Sequence, residues 1–262
     1  MSIMLFIPIL VGWLGGIIIN YLADVLPVTR RLSPPACLQC NEPFTWSHYL
    51  LFRPCRNGHA RKARPWVVQL VTLAISIYIW NQPPVKLGYW LGLVLILYFA
   101  VIFVIDMEHR LILHPTSIFG SLLGLTVGLV SHGLKPTLWG GLGGLVIMLA
   151  FYYLGVLFSR VRAKRMRAMG QEADDEEALG AGDVILVTIL GLMLGWPLIW
   201  FSLLVGILLG GFISLMLIVG LIVTRKYEKN ALMVFIPYGP YLITSAFLVI
   251  YFPGFIKMFL PQ

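Results

Sequence analysis

The sequence predicts an all-α integral membrane protein of about eight transmembrane helices with a small cytoplasmic cysteine-containing subdomain. Three observations carry this reading. Of 262 residues, 59% are apolar and only 11% are charged, against roughly 45–50% and 25% in soluble domains, so there is too little charge to cover a globular surface. The apolar residues fall in long uncharged runs, and a bilayer crossing needs about 20 of them. The formal net charge of +8 is gathered in a few connections, as expected of loops that set membrane orientation. In a soluble chain such a charge would suggest nucleic acid; here no nucleic-acid partner is expected.

Eight runs answer to helices that satisfy their own backbone hydrogen bonds in lipid. They cover residues 3–23, 66–80, 87–105, 112–131, 138–158, 184–198, 199–223 and 233–256. The sixth and seventh are divided near Trp196-Pro197. The first run has neither a basic leading segment nor a small-residue cleavage site, so it reads as a retained span and not a signal peptide. The expected organisation is a first span at 1–26, a cytoplasmic loop at 27–65 and a membrane core at 66–262.

Threading the chain alternately across the bilayer places connections 24–65, 106–111, 160–183 and 224–232 on one face. They hold sixteen of the 19 basic residues, leaving Lys86, Lys135 and Lys257 on the other face. The positive-inside rule makes the charged face cytoplasmic and puts both termini outside. All 11 acidic residues share that face.

Two of those acids stand at the edges of apolar runs. Asp106 follows the run 87–105, and Asp183 closes Gly180-Ala181-Gly182-Asp183 just before the next run. Singly, each has an ordinary explanation, Asp106 as an interfacial stop and Asp183 as a helix cap. Ionisable groups near membrane depth are functional candidates. Two carboxylates sharing a partly dry site do not both ionise readily, so one can act as general base and the other as general acid. That is the chemistry by which an aspartic protease directs water onto a peptide carbonyl. Gly180 and Gly182 would let a substrate backbone approach Asp183, although glycines at helix interfaces also simply permit packing.

The 3 cysteines all lie in the first connection, as Cys37-Leu38-Gln39-Cys40 and Cys55. In a reducing compartment, clustered thiols point to metal before disulfide. A closed structural zinc site needs four ligands. His59 supplies the fourth, with Gly58 easing the turn between it and Cys55, and His48 is the competing donor. The other reading is an idle loop resting on Phe44, Trp46 and the membrane.

Gly180-Ala181-Gly182-Asp183, with Ile105-Asp106-Met107-Glu108-His109-Arg110 upstream, resembles the paired signature of the Gly-x-Gly-Asp intramembrane aspartic proteases, specifically the type IV prepilin peptidases. Asn20 near the end of the first span, the cysteine loop, and Ile236-Pro237-Tyr238-Gly239-Pro240-Tyr241 opening the last span extend the likeness along most of the chain. The resemblance implies that Asp106 and Asp183 are the catalytic pair. It implies prepilins or pseudopilins of type IV pilus or type II secretion systems as substrates, cut behind a short basic leader at the cytoplasmic face of a bacterial inner membrane. It also implies that Pro237, Gly239 and Pro240 lie near the active site and position an extended substrate. Relatives with a cysteine loop methylate the new N-terminus with S-adenosylmethionine; no Gly-rich nucleotide-binding loop is visible here. Two departures stand out. Leu113-His114-Pro115 occupies a stretch where many relatives read Leu-Pro-Asp, and a second Cys-x-x-Cys is replaced by Cys55-Arg56-Asn57-Gly58-His59.

The basic stretch 160–167 reads as a contact with anionic lipid. The acidic stretch 172–177 reads as a solvated loop, or as a device that attracts a basic leader. Gly140-Gly141-Leu142-Gly143-Gly144 and Gly206-Ile207-Leu208-Leu209-Gly210 read as contacts between spans. The rival to a protease is a transporter whose two aspartates carry protons or cations, which would place charge at mid-membrane. A non-catalytic scaffold binding pilin precursors is the third reading, and an archaellin-type peptidase the nearest enzymatic one.

Overall fold

The computed structural model describes residues 2–37, 39–61, 63–168, 180–223 and 237–254, with side chains described from residue 5 and not over 165–168. Most of the described residues are helical, and among them there is no strand beyond a single bridge. The helices are α1 (Ser2–Thr29), α2 (Trp46–Leu50), α3 (Arg64–Asn81), α4 (Gly88–His109), α5 (His114–His132), α6 (Leu134–Ala168), α7 (Ala181–Leu194), α8 (Leu198–Val223) and α9 (Gly239–Tyr251). Four of them contain stretches long and apolar enough to cross a bilayer: Leu5–Thr29, Gly88–His109, Leu134–Lys164 and Leu198–Val223. Helices α7 and α9 are apolar and shorter. Phe6, Leu70, Ile118, Leu208 and Phe212 lie on exposed helix faces, which in water would be a liability and in lipid is ordinary.

The chain divides into two compact units, Met1–Thr116 and Ser117–Gln262. In the first, α1 packs on α3 and α4. Ile19, Ala23 and Leu26 of α1 meet Val101 and Ile105 of α4 and Leu113 beyond it in one buried cluster. Lipid gives no hydrophobic drive for helices to associate, so close packing and interhelical hydrogen bonds decide the contact. Helix α3 supplies the hydrogen bonds, with Gln69 Nε2 donating to the Trp13 carbonyl at 2.6 Å and Ser76 Oγ to that of Pro8 at 2.8 Å. Gly16 of α1 admits Gln69: a Cβ there would stand 2.6 Å from its Oε1. Asn20, fully buried, donates through Nδ2 to the Pro65 carbonyl at 3.1 Å.

In the second unit α7 is the inner helix, packed by α6, α8 and α9. Eight of its 14 residues are buried, which is why its sequence is apolar all round. The glycines expected to mark span contacts do so. A Cβ on Gly144 would lie 2.8 Å from the Val187 carbonyl, and Gly206 faces Leu242 and Ser245. Helix α7 ends at Leu194, four residues short of the expected run, because Gly195 takes φ +70° and donates to the Gly191 carbonyl at 2.9 Å. A positive φ ends a helix cheaply only at glycine.

Candidate active site and metal centre

The end of α4 holds Asp106 in its last turn. The run from Leu95 to Ile105 is apolar and largely buried, and Asp106 itself is 5% exposed. Arg110 closes the helix in the left-handed region, φ 54°, donating its N–H to the Asp106 carbonyl at 2.9 Å. Glu108 projects from the same turn to Arg64 Nη1 at 2.7 Å. Arg64 also donates to Asp24 near the end of α1. Asp24 further accepts from Arg61 Nη2 at 2.6 Å and from the Tyr49 hydroxyl at 2.5 Å. Arg61 lies over the Tyr49 ring, 4.2 Å from its centroid, and donates to the Tyr49 carbonyl at 3.1 Å. The side chains of Asp24 and Arg61 are 9% and 8% exposed, so this is a desolvated pair supported by further hydrogen bonds from Tyr49 and Arg64, the kind of support under which such a pair is tolerated.

The segment carrying Tyr49 and Arg61 also carries the cysteines. A tight hairpin pairs Ala36 with Pro43, with the Cys37 N–H on the Glu42 carbonyl at 2.9 Å and the Phe44 N–H on the Pro35 carbonyl at 2.8 Å. Asn41, φ 57°, turns the chain between them. A second turn brings the Cys55 N–H to the His59 carbonyl at 3.1 Å, with Gly58 at φ +80° as the sequence anticipates. The two turns converge, and one ligand atom from each of Cys37, Cys40, Cys55 and His59 lies within 4.8 Å of the others. Cys40 and Cys55 sulfurs are 3.8 Å apart, and Cys55 Sγ is 3.4 Å from His59 Nδ1. Zinc–sulfur bonds of about 2.3 Å in a tetrahedron require sulfurs about 3.8 Å apart, so the group can hold a metal ion. His59 is the fourth member, and His48 is an exposed residue of α2.

The thiols' electrostatics fit a cation. Burial works against a charged Cys37, but N–H groups of Gln39 and Cys40 and the neighbouring thiols outweigh it and bring its pKa down to about 7. Against a hydrogen bond from the Glu42 backbone, burial and the Cys37 and Cys55 sulfurs push Cys40 upward. Adjacent sulfurs thus compete for negative charge, a conflict that a bound cation relieves.

In the second unit, Asp183 occupies the first turn of α7, half-buried, with its N–H on the Gly180 carbonyl at 3.0 Å. Gly180 is exposed, and among the described residues a Cβ there would meet only Asp183 Oδ2 and the Gly182 nitrogen, at 3.7 and 3.9 Å. Packing among the described residues therefore does not require this glycine. Gly239 and Pro240 are buried where α9 begins, and Pro237 is half-buried before it. The structure brings Cys37, Cys40, Cys55 and His59 together; Asp106 belongs to the first unit and Asp183, Gly180, Gly182, Pro237, Gly239 and Pro240 to the second. His114 begins α5 as an exposed residue. The acidic stretch 172–177 and Ile236 lie outside the described residues.

The sequence reading missed the Asp24–Arg61–Arg64–Glu108 network. Its one visible signal is Asp24 after the apolar run ending at Ala23, the same edge signal that marks Asp106.

Among known proteins, neither the curated proteins nor the solved structures give a match. The model of the type IV leader peptidase family matches residues 93–215, from within α4 to within α8 and across both aspartates, so that over this segment the chain is similar to the type IV leader peptidase family.

Proposed function

We propose that the protein is a membrane aspartic endopeptidase that removes the basic leader of type IV prepilins or pseudopilins at the cytoplasmic face of a bacterial inner membrane. Asp106 and Asp183 are its catalytic pair. The observation that carries this reading is a nearly buried carboxylate, Asp106, at the end of an apolar helix inside the family segment. Such a group is costly in an apolar setting. Gly180 supports it, since an open glycine beside Asp183 leaves room for a substrate backbone.

In the proposed reaction one carboxylate takes a proton from water as it attacks the peptide carbonyl. The other gives its proton to the departing amine. A helical peptide bond is shielded, so the substrate unwinds where the leader meets the apolar pilin helix, and Pro237, Gly239 and Pro240 line its path. The bundle spans the membrane about eight times with both termini outside, the orientation that the basic residues favour. Residues 27–65 form the cytoplasmic subdomain and 66–262 the core. Zinc, held by Cys37, Cys40, Cys55 and His59, closes the subdomain structurally and takes no part in hydrolysis.

The test is co-expression with a prepilin, reading the N-terminus of the product by mass spectrometry. Asp106→Asn and Asp183→Asn are each expected to abolish cleavage while the protein stays in the membrane. Continued cleavage by either variant removes the assignment. The same spectrum shows whether the new N-terminus is methylated with S-adenosylmethionine.

A further inference from the structure

The cysteine segment turns apolar side chains outward. Along α2 and the turn after it, Tyr49 and Phe52 are buried, whereas Trp46, Leu50 and Leu51 are 52%, 40% and 59% exposed. Aromatic contacts tie both ends of this stretch to longer helices. The Trp46 ring lies 5.7 Å from that of Tyr21 in α1, and the Phe52 ring 4.9 Å from that of Trp66 at the start of α3. Trp66, Val67 and Leu70 are themselves exposed, so the apolar face of the segment runs on into the outer face of α3. Charge accompanies it. Residues 24–65 hold seven basic residues against two acids, Asp24 and Glu42. Arg61 and Arg64 are taken up by Asp24 and Glu108. Arg30, Arg31, Arg53 and Arg56 are exposed, and among the described residues none of the four forms an ion pair. The Tyr21 hydroxyl donates to the Ser33 carbonyl at 2.8 Å, which holds the turn bearing Arg30 and Arg31 near the ring that Trp46 meets.

We propose that this face binds anionic phospholipid of the surrounding bilayer, with Trp46, Leu50 and Leu51 at the boundary of headgroups and acyl chains and Arg30, Arg31 and Arg53 on the phosphates. Three outward apolar side chains in a loop surrounded by water would be a liability. Beside arginines they make an interfacial surface, where leucine enters the acyl boundary, indole rests at headgroup level and cations meet anionic lipid. Continuity with α3 favours lipid over a protein partner, because an apolar helix face leads straight into the patch. A second copy presenting the same face would bring like charge against these arginines. The segment thus lies on the bilayer and does not stand out from it. The inference goes beyond the proposed peptidase activity and does not depend on the roles of Asp106 and Asp183.

The test places a photo-cross-linking residue at position 51 of the full-length protein, reconstituted in nanodiscs of an equal mixture of phosphatidylcholine and phosphatidylglycerol. Adducts are read by intact-mass spectrometry. The expected products are lipid adducts favouring phosphatidylglycerol about fivefold, the effect of one cation near the membrane surface. Combining Arg30→Gln, Arg31→Gln and Arg53→Gln removes the preference. The same residue at position 208, exposed on α8, gives lipid adducts without it. The proposal is overturned by an absence of lipid adducts at position 51, by adducts joining two copies of the chain, or by a preference that is missing or survives the three substitutions. A thermal midpoint equal to the parent's shows that the labelled segment is folded. Should the label at position 51 lower it, position 46, where one aromatic group replaces another, decides by the same outcomes.

Discussion

Arg64 Nη1 donates to Glu108 Oε2 at 2.7 Å and so ties the first residue of α3 to the last turn of α4, two residues beyond Asp106. The other edge of the same guanidinium is taken by Asp24. One cation thus joins the ends of three helices, and in that position arginine is not replaceable by lysine, whose single ammonium lacks the fork. The Glu108 side chain is 37% exposed, which limits that pair to about 1 kcal/mol or less. Asp24 is far drier, so its loss of a partner matters more. Glu108→Gln is expected to lower the thermal midpoint slightly, and Arg64→Gln more, with cleavage falling about tenfold. The double variant should be no worse than Arg64→Gln alone; strictly additive losses would show that the two side chains act independently.

His59 and not His48 completes the thiol cluster, which gives a direct test of the metal. His59→Ala is expected to lose most of the bound zinc on purification, whereas His48→Ala keeps it, read as metal per protein by atomic absorption. Cys55→Ser should resemble His59→Ala and lower the thermal midpoint, since metal binding in a small segment of this kind is largely folding free energy. Equal zinc in His59→Ala and the parent would remove His59 from the ligand set.

Tyr49 predicts an alkaline weakness. Burial above all, then the Asp24 carboxylate, pushes its phenol well above the usual value, with Arg61 opposing. In the unfolded chain the phenol titrates near 10. A folded-state pKa that is raised means that the stability contributed by the O–H is whole below about pH 10 and drains as pH climbs towards the folded value. The hydroxyl donates to a carboxylate at 2.5 Å, a charge-assisted bond worth about 1.5–3 kcal/mol. Tyr49→Phe is therefore expected to be less stable than the parent at pH 8, with the gap narrowing above pH 10. Thermal unfolding of the two proteins across that range measures it.

Much of this was readable from local signals. An uncharged run reports a helix in lipid, a carboxylate at its edge reports itself, and cysteines with a glycine before a histidine report a turn that can gather ligands. The positions of Asp106 and Asp183 at helix ends and the gathering of Cys37, Cys40, Cys55 and His59 were visible in this way. The Arg64–Glu108 pair was not, because its members are 44 residues apart and each alone looks like an ordinary charge in a basic loop. The end of α7 moved inward from 198 to 194 because Gly195 sits inside an apolar run where hydropathy gives no break.

The glycines of α6 and α7 are where a single methyl should matter most. A Cβ on Gly191 would lie 2.9 Å from the Gly140 carbonyl carbon and 3.1 Å from the Gly141 Cα. These are backbone atoms, which cannot swing aside as a side chain can. Without hydrophobic drive between helices in lipid, such contact distances set how firmly α7 is held. Gly191→Ala is thus expected to cost about 1–3 kcal/mol through overpacking, and Gly191→Val more. Among the described residues nothing stands within 4 Å of a Cβ on Gly211 of α8, so Gly211→Ala should be neutral or gain up to about 1 kcal/mol from helix propensity. Measured side by side by thermal unfolding in one detergent, the two alanines differ only in what the methyl meets. Because α7 carries Asp183 in its first turn, Gly191→Ala should also lose cleavage activity in step with stability, while Gly211→Ala retains it. A Gly191→Ala protein as stable as the parent would mean that α6 and α7 do not pack backbone to backbone.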